Sequence, residues 1–160
     1  MPIISPHKSS PLLDGRQSDR AMLVRRGIQR LFLSMRISLL PEMTLASGRR
    51  ADLIALTDKG DIWIVEIKTS VADLRTDGKW PDYRDYCDRL YFATHAGVPP
   101  EIFPQDCGLL IADSYGADWL REAPEHRLAP ARRKVLTRQF ARLAADRLVL
   151  AEFAASGNPE

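Results

Sequence analysis

The stretch from Arg50 to Lys68 constrains this chain more than any other, because it reads as one β-hairpin with charges buried in its stem. Arg50 to Thr57 and Asp61 to Lys68 are runs of strand-forming residues separated by Asp58, Lys59 and Gly60. A three-residue loop with Gly at its left-handed position is a common hairpin connection. That loop makes residues whose numbers sum to 118 lie opposite each other, so Asp52 faces Glu66. Directly opposed side chains on an antiparallel pair have Cβ atoms roughly 4.5–5.5 Å apart, and like charges so placed repel. Lys68 shares the face of Glu66, because side chains two apart on a strand point the same way. The pattern asks for a cation between two carboxylates, with an amine beside it.

The strand around Glu66 is apolar on both faces, from Ile62 through Ile67. An idle carboxylate is expensive in such surroundings. A Glu-x-Lys tripeptide alone reads as a solvated strand edge with a salt bridge; the opposing Asp52 is what turns it into a candidate metal site. Magnesium is bound through one or two carboxylates plus waters and substrate oxygens. Asp52 and Glu66 supply that share, and the carbonyl of Ile67 could add a third oxygen. A cation held there polarises a phosphoryl oxygen and lowers the pKa of a bound water. Lys68 would orient or deprotonate that water, or stabilise the negative charge of the transition state. The base role requires a lowered lysine pKa.

The rest of the chain supplies a frame for the hairpin. Its 160 residues, 45% hydrophobic and 28% charged, are enough for one domain with its own core. We expect a poorly ordered arm over residues 1–17, rich in Pro and Ser, a domain over 18–154, and a flexible tail over 155–160. Ser18 caps a first helix to about Met35, with Met22, Leu23, Ile28, Leu31, Phe32 and Met35 as its apolar stripe. A strand over 37–46 follows, an edge strand because Pro41 interrupts it. Pro81 opens a helix carrying Tyr83, Tyr86 and Leu90 on one side. Residues 91–94, 108–113 and 118–123 are further strands, the second buried and the third at an edge. A long last helix runs from Ala131 to about Glu152, with Leu136, Phe140, Leu143 and Ala144 inward. Helices before, between and after the strands give an α/β fold with a mixed β-sheet flanked by helices.

Net charge is only +2, so bulk charge does not announce a polyanion partner; arginines cluster near both ends instead. Cys87 and Cys107 lack a metal-ligand spacing and read as reduced thiols of an intracellular protein. The N-terminus does not have the form of a signal peptide, and no run is long and apolar enough for a membrane helix.

Arg50 to Ala55 followed by Trp63 to Lys68 resembles the signature of the PD-(D/E)XK nuclease superfamily, the restriction-endonuclease-like fold. Closer still, the run from Gly48 through Lys79–Asp88 to Ala112–Gly116 is similar to the MmcB family of bacterial DNA repair proteins, over roughly residues 18–150. The resemblance implies a divalent-metal nuclease acting on DNA in damage repair, with Asp52, Glu66 and Lys68 catalytic and Mg²⁺ or Mn²⁺ as cofactor. It implies a bacterial cytoplasmic protein, at the nucleoid when acting, with other repair proteins as possible partners. The alternative is a catalytically silent DNA-binding or scaffold protein that keeps the fold. Ala51 stands where the superfamily often has Pro. The first helix carries Asp19 near its start and no Glu, so the extra metal ligand many members hold there is missing, and Glu42 is a weak substitute.

Further positions follow. Asp82 and Tyr86 are similar to the Gln-x-x-x-Tyr element of RecB-like nucleases, with core packing of the tyrosines as the rival reading. Lys79 and Trp80 could meet a nucleic-acid backbone or base. Arg49 and Arg50 could contact phosphate, though an ion pair between Arg50 and Asp52 is the competing role. Arg138 and Arg142, one turn apart on the last helix, offer a phosphate-tracking ridge or a merely solvated face.

Overall fold

The computed structural model describes residues 19–157. Six strands form one sheet in chain order: β1 (Ser38–Thr44), β2 (Arg50–Leu56), β3 (Ile62–Ile67), β4 (Arg89–Thr94), β5 (Gly108–Ala112) and β6 (Ala117–Arg121). The first three pair antiparallel, β3–β4–β5 are parallel, and β6 returns antiparallel. Helices α1 (Asp19–Ser34), α2 (Val71–Thr76) and α3 (Pro130–Ser156) complete the chain, with a 3₁₀ helix over Trp80–Tyr86. This is an α/β fold, a mixed six-stranded sheet flanked by helices, consistent with a restriction-endonuclease-like core. The arm read over residues 1–17 lies outside the described residues. α3 continues to Ser156, into the segment read as a tail.

The hairpin has the register its loop dictates. Leu53 pairs with Val65, Ile54 with Ile64, Ala55 with Trp63 and Leu56 with Ile62. Gly60 sits at φ +86, a conformation open to glycine at no steric cost. Pro41 is tolerated because β1 is an edge strand, where a missing N–H leaves no gap in the ladder.

Alternation along the strands sends side chains to two cores. Ile54, Ile64, Leu90, Phe92 and Leu109 pack with Leu136 and Phe140 of α3 and with Tyr83. Leu53, Val65, Tyr91 and Leu110 pack under α1. The buried stripe of α1 is Ala21, Val24, Ile28 and Phe32, while Leu23 and Met35, expected inside, are largely exposed. The helix is turned this way because Gly27 lies against the β5–β6 turn, where a Cβ would overlap the carbonyl oxygens of Asp113 and Gly116.

The helix expected from Pro81 to Leu90 is a correction. The 3₁₀ segment ends at Tyr86, and Leu90 belongs to β4. Asp88 explains the early stop. Its carboxylate is 1% exposed and accepts hydrogen bonds from the amides of Ile62 (2.8 Å) and Leu128 (2.9 Å) and from both terminal nitrogens of Arg133, at 2.6 Å each. One side chain thus ties the start of β3, the chain before α3 and α3 itself to the entry of β4.

Candidate active site

Past Leu53 and Val65 the β2–β3 ladder gives way to side-chain bonds. The amide of Asp52 donates to Glu66 Oε1 at 3.0 Å, and the amide of Ile67 donates to Asp52 Oδ2 at 2.8 Å. Each carboxylate therefore replaces a main-chain acceptor of the opposite strand, which fixes both side chains where the strands end. They form part of the wall of a cleft of about 670 Å³ that is also lined by Arg49, Arg50, Ile67, Lys68, Asp73, Asp77 and Tyr83.

Both carboxyl groups are held above the usual carboxylate range. Burial is the main cause for Asp52, opposed by the Ile67 amide; for Glu66, shifted further, burial is joined by the charge of Asp52. Among the described residues neither has an ion-pair partner, because Lys68 turns elsewhere: its Nζ lies 2.8 Å from Asp77 Oδ2 and 3.9 Å from Asp73 Oδ1. Burial alone would lower the lysine pKa. The hydrogen bond and charge of Asp77, with Asp73 and Glu66, outweigh it and raise the value. Asp77 moves the opposite way: burial would raise it, and the Lys68 hydrogen bond brings it below its ordinary value. The lowered lysine pKa that the base role requires is not found in this arrangement.

Asp73 and Asp77 were not singled out from the sequence, although two Asp residues four apart just after Glu66 and Lys68 are the available signal. Tyr83 also enters the site. Its hydroxyl donates to the Arg50 carbonyl at 3.0 Å, and burial followed by the charges of Glu66 and Asp52 raises its pKa.

Other expected positions divide. Arg49 and Arg50 line the cleft. Among the described residues Arg50 approaches Glu42, at 4.0 Å, rather than Asp52. Glu42 lies between the Pro41–Leu53 and Met43–Ala51 pairs, buried and with left-handed backbone (φ 55), outside the cleft lining. Asp82 and Tyr86 do not act as one pair. In a 3₁₀ helix residues three apart are eclipsed, so positions four apart diverge: Asp82 binds Arg49 Nε at 2.9 Å, and Tyr86 lies under Arg132. Trp80 packs edge-on against Phe92 and is capped by Arg84, as a core residue, and Lys79 is exposed beside it. Arg138 and Arg142 are exposed on α3, outside the cleft.

The donor set fits a small hard cation. It consists of one buried carboxylate, Glu66, and one half-buried, Asp52, neither in an ion pair among the described residues, with oxygen donors of the kind Mg²⁺ and Mn²⁺ accept. Among the described residues there is no grouping of three or more His, Cys, Asp or Glu side chains of metal-binding form. A cation here would rely on the carboxylate pair, the main chain, water and substrate.

The sheet order and the carboxylate pair define an α/β protein with an acidic candidate site. The sequence matches the MmcB-like DNA repair protein family over residues 8–155, and the chain belongs to that family. The match gives it a role in DNA repair. A solved structure of a protein of unknown function from Silicibacter pomeroyi is 39% identical, with a TM-score of 0.82 over 90% of this chain and 97% of that one. No curated protein matches the chain. Among the described residues no helix is long and apolar enough to cross a membrane.

Proposed function

We propose that the protein is a divalent-metal-dependent DNA nuclease of the PD-(D/E)XK type, cleaving phosphodiester bonds during repair in the bacterial cytoplasm. The observation that carries this reading is the facing pair of half-buried Asp52 and buried Glu66, with no ion-pair partner among the described residues, beside Lys68 in an open cleft. No fold needs two such carboxylates face to face, since like charges and desolvation both cost stability. Asp52, Glu66 and the Ile67 carbonyl would hold Mg²⁺ or Mn²⁺. Such an ion, when bound, polarises a phosphoryl oxygen and acidifies a water. Asp77 keeps Lys68 cationic and aligned, so the lysine serves by stabilising charge that builds on phosphate rather than by taking a proton. Arg49 and Arg50, at the cleft wall, would position the flanking phosphates.

The test is cleavage of labelled single-stranded, duplex, flap and abasic DNAs in Mg²⁺ or Mn²⁺, beside Asp52→Asn and Lys68→Ala. Metal-dependent cleavage lost in both variants supports the nuclease. DNA binding unchanged in both, with no substrate cut by the native protein, would sink it in favour of a scaffold.

A further inference from the structure

A second depression lies across the 3₁₀ helix from the cleft. It is a groove of about 840 Å³ between that helix and the first turns of α3. Its floor is apolar, with Leu128, Leu136 and Val135, the last 58% exposed. Cleft and groove flank the same two segments: Thr44, Gly48, Arg49 and Tyr83 line the cleft, and Ala46, Arg84 and Tyr86 line the groove. The Arg49–Asp82 ion pair bridges the turn and the helix between them.

The two depressions differ in their charged lining. The cleft is lined by Asp52, Glu66, Asp73 and Asp77 against Arg49, Arg50 and Lys68. The groove is lined by Arg84, Arg127 and Arg132 against Asp85 alone. Two of these arginines are neutralised from outside the groove, Arg84 by Asp106 at 2.6 Å and Arg127 by Glu125 at 3.1 Å. Arg132 differs. Among the described residues it has no carboxylate partner; it donates to the Asp85 carbonyl at 2.9 Å, and its guanidinium lies 4.8 Å from the centre of the Tyr86 ring. Arg84 is held likewise over Trp80 at 5.4 Å. A guanidinium braced on an aromatic ring is a planar cation that can hold phosphate or stack on a base.

We propose that this groove carries single-stranded DNA to the cleft, so that the nuclease proposed above acts on a single strand or on the unpaired arm of a branched duplex. The inference rests on that reading for its consequence but not for its own test. An apolar floor beside an uncompensated arginine suits unpaired bases and their backbone. A duplex presents chiefly phosphates, and would leave Val135 facing water. Arg132 is the principal phosphate contact, and the exposed Val135 is the surface against which a base lies. An acidic cleft with a basic approach also separates the tasks: the strand is held in the groove, and its phosphate enters the acidic cleft only with a cation.

The experiment is fluorescence anisotropy of a labelled oligothymidine and of a hairpin duplex of equal length, in EDTA, with native protein, Arg132→Glu, Val135→Asp and Asp52→Asn. Circular dichroism checks that each variant is folded. The native protein is expected to bind the single strand more tightly than the duplex. Arg132→Glu should weaken that binding at least about tenfold, and Arg132→Ala should lower the salt slope by about one. Val135→Asp weakens it in the same direction. Single-strand binding that is undetectable, weaker than duplex binding, or unaffected by Arg132→Glu and Val135→Asp overturns the groove. Equal competition by poly-glutamate overturns it too, in favour of an acidic peptide. Cleavage lost in Asp52→Asn while the groove variants bind normally would remove this inference and leave the nuclease standing. The reverse pattern, groove-dependent binding without any cleavage, would remove the nuclease and leave the groove.

Discussion

Replacing Asp88 by Asn tests whether one buried carboxylate holds the frame of the site. The native side chain accepts four hydrogen bonds, two from Arg133 and one each from the amides of Ile62 and Leu128. Asparagine keeps one acceptor oxygen and turns an NH₂ toward the other two donors. One bond from Arg133 and one from a main-chain amide are then lost, and the remaining arginine bond loses its charge assistance. Bonds to charged groups contribute about 1.5–3 kcal/mol, and a stranded buried donor costs about 1–3 kcal/mol. Together these give roughly 3–5 kcal/mol, the range for breaking a buried ion pair by removing one partner. For a domain of this size that lowers Tm by about 6–20 °C. The pH dependence has a definite sign. Burial alone would raise the Asp88 pKa, but the Arg133 hydrogen bonds and the two amides bring it below its ordinary value. Stability from this group is therefore complete above the unfolded aspartate value of about 3.9, and it is lost as pH falls through the lower folded value. Urea melts of native protein, Asp88→Asn, Arg133→Met and the double variant, at pH 7 and at stepwise lower pH, measure both effects. A loss under about 1 kcal/mol at pH 7 would refute the argument, as would a native–variant gap that does not narrow in acid.

Other expectations follow from single features. Glu66→Gln should abolish cleavage yet raise the thermal stability of the metal-free protein, since it removes a buried acid whose ionisation costs folding energy; it should also cancel any Tm gain from added Mn²⁺, all read by differential scanning fluorimetry. Gly27→Ala forces α1 off the β5–β6 turn, where a Cβ has no room, and should cost at least about 1–3 kcal/mol by overpacking, measured by chemical denaturation; an unchanged midpoint would mean the helix is free to shift. Burial pushes the Cys87 thiol well up and the Cys107 thiol up to about 11. Both should therefore react with a thiol reagent at pH 8 only at the rate of unfolding, and a fast stoichiometric phase would contradict their burial.

Much of the frame could be read from residues in order along the chain. The loop Asp58–Gly60 sets the hairpin register, because a turn with a left-handed glycine permits one pairing and side-chain alternation does the rest. Pro41 marks an edge strand, and the apolar run from Gly108 marks a buried one. Each is a local rule that distant contacts left undisturbed. Where distant contacts intervened, the sequence misled. Leu23 and Met35 match a helical stripe as well as Ala21 and Val24 do, and only the approach of Gly27 to Asp113 and Gly116 chooses between them. The segment after Pro81 has the residues of a helix, yet Asp88 ends it to reach Ile62, Leu128 and Arg133, forty or more positions away for the last two.

The candidate site divides along the same line. That Asp52 opposes Glu66 follows from the sequence alone, since strand pairing across a short loop is a matter of counting. Which cation meets which anion does not, because those partners lie on elements whose approach no local rule specifies. Tertiary packing paired Lys68 with Asp77, Arg50 with Glu42 and Arg49 with Asp82, and among the described residues left Asp52 and Glu66 without an ion pair. It also laid α3 beside the 3₁₀ helix, forming the arginine-lined groove on that helix's other side.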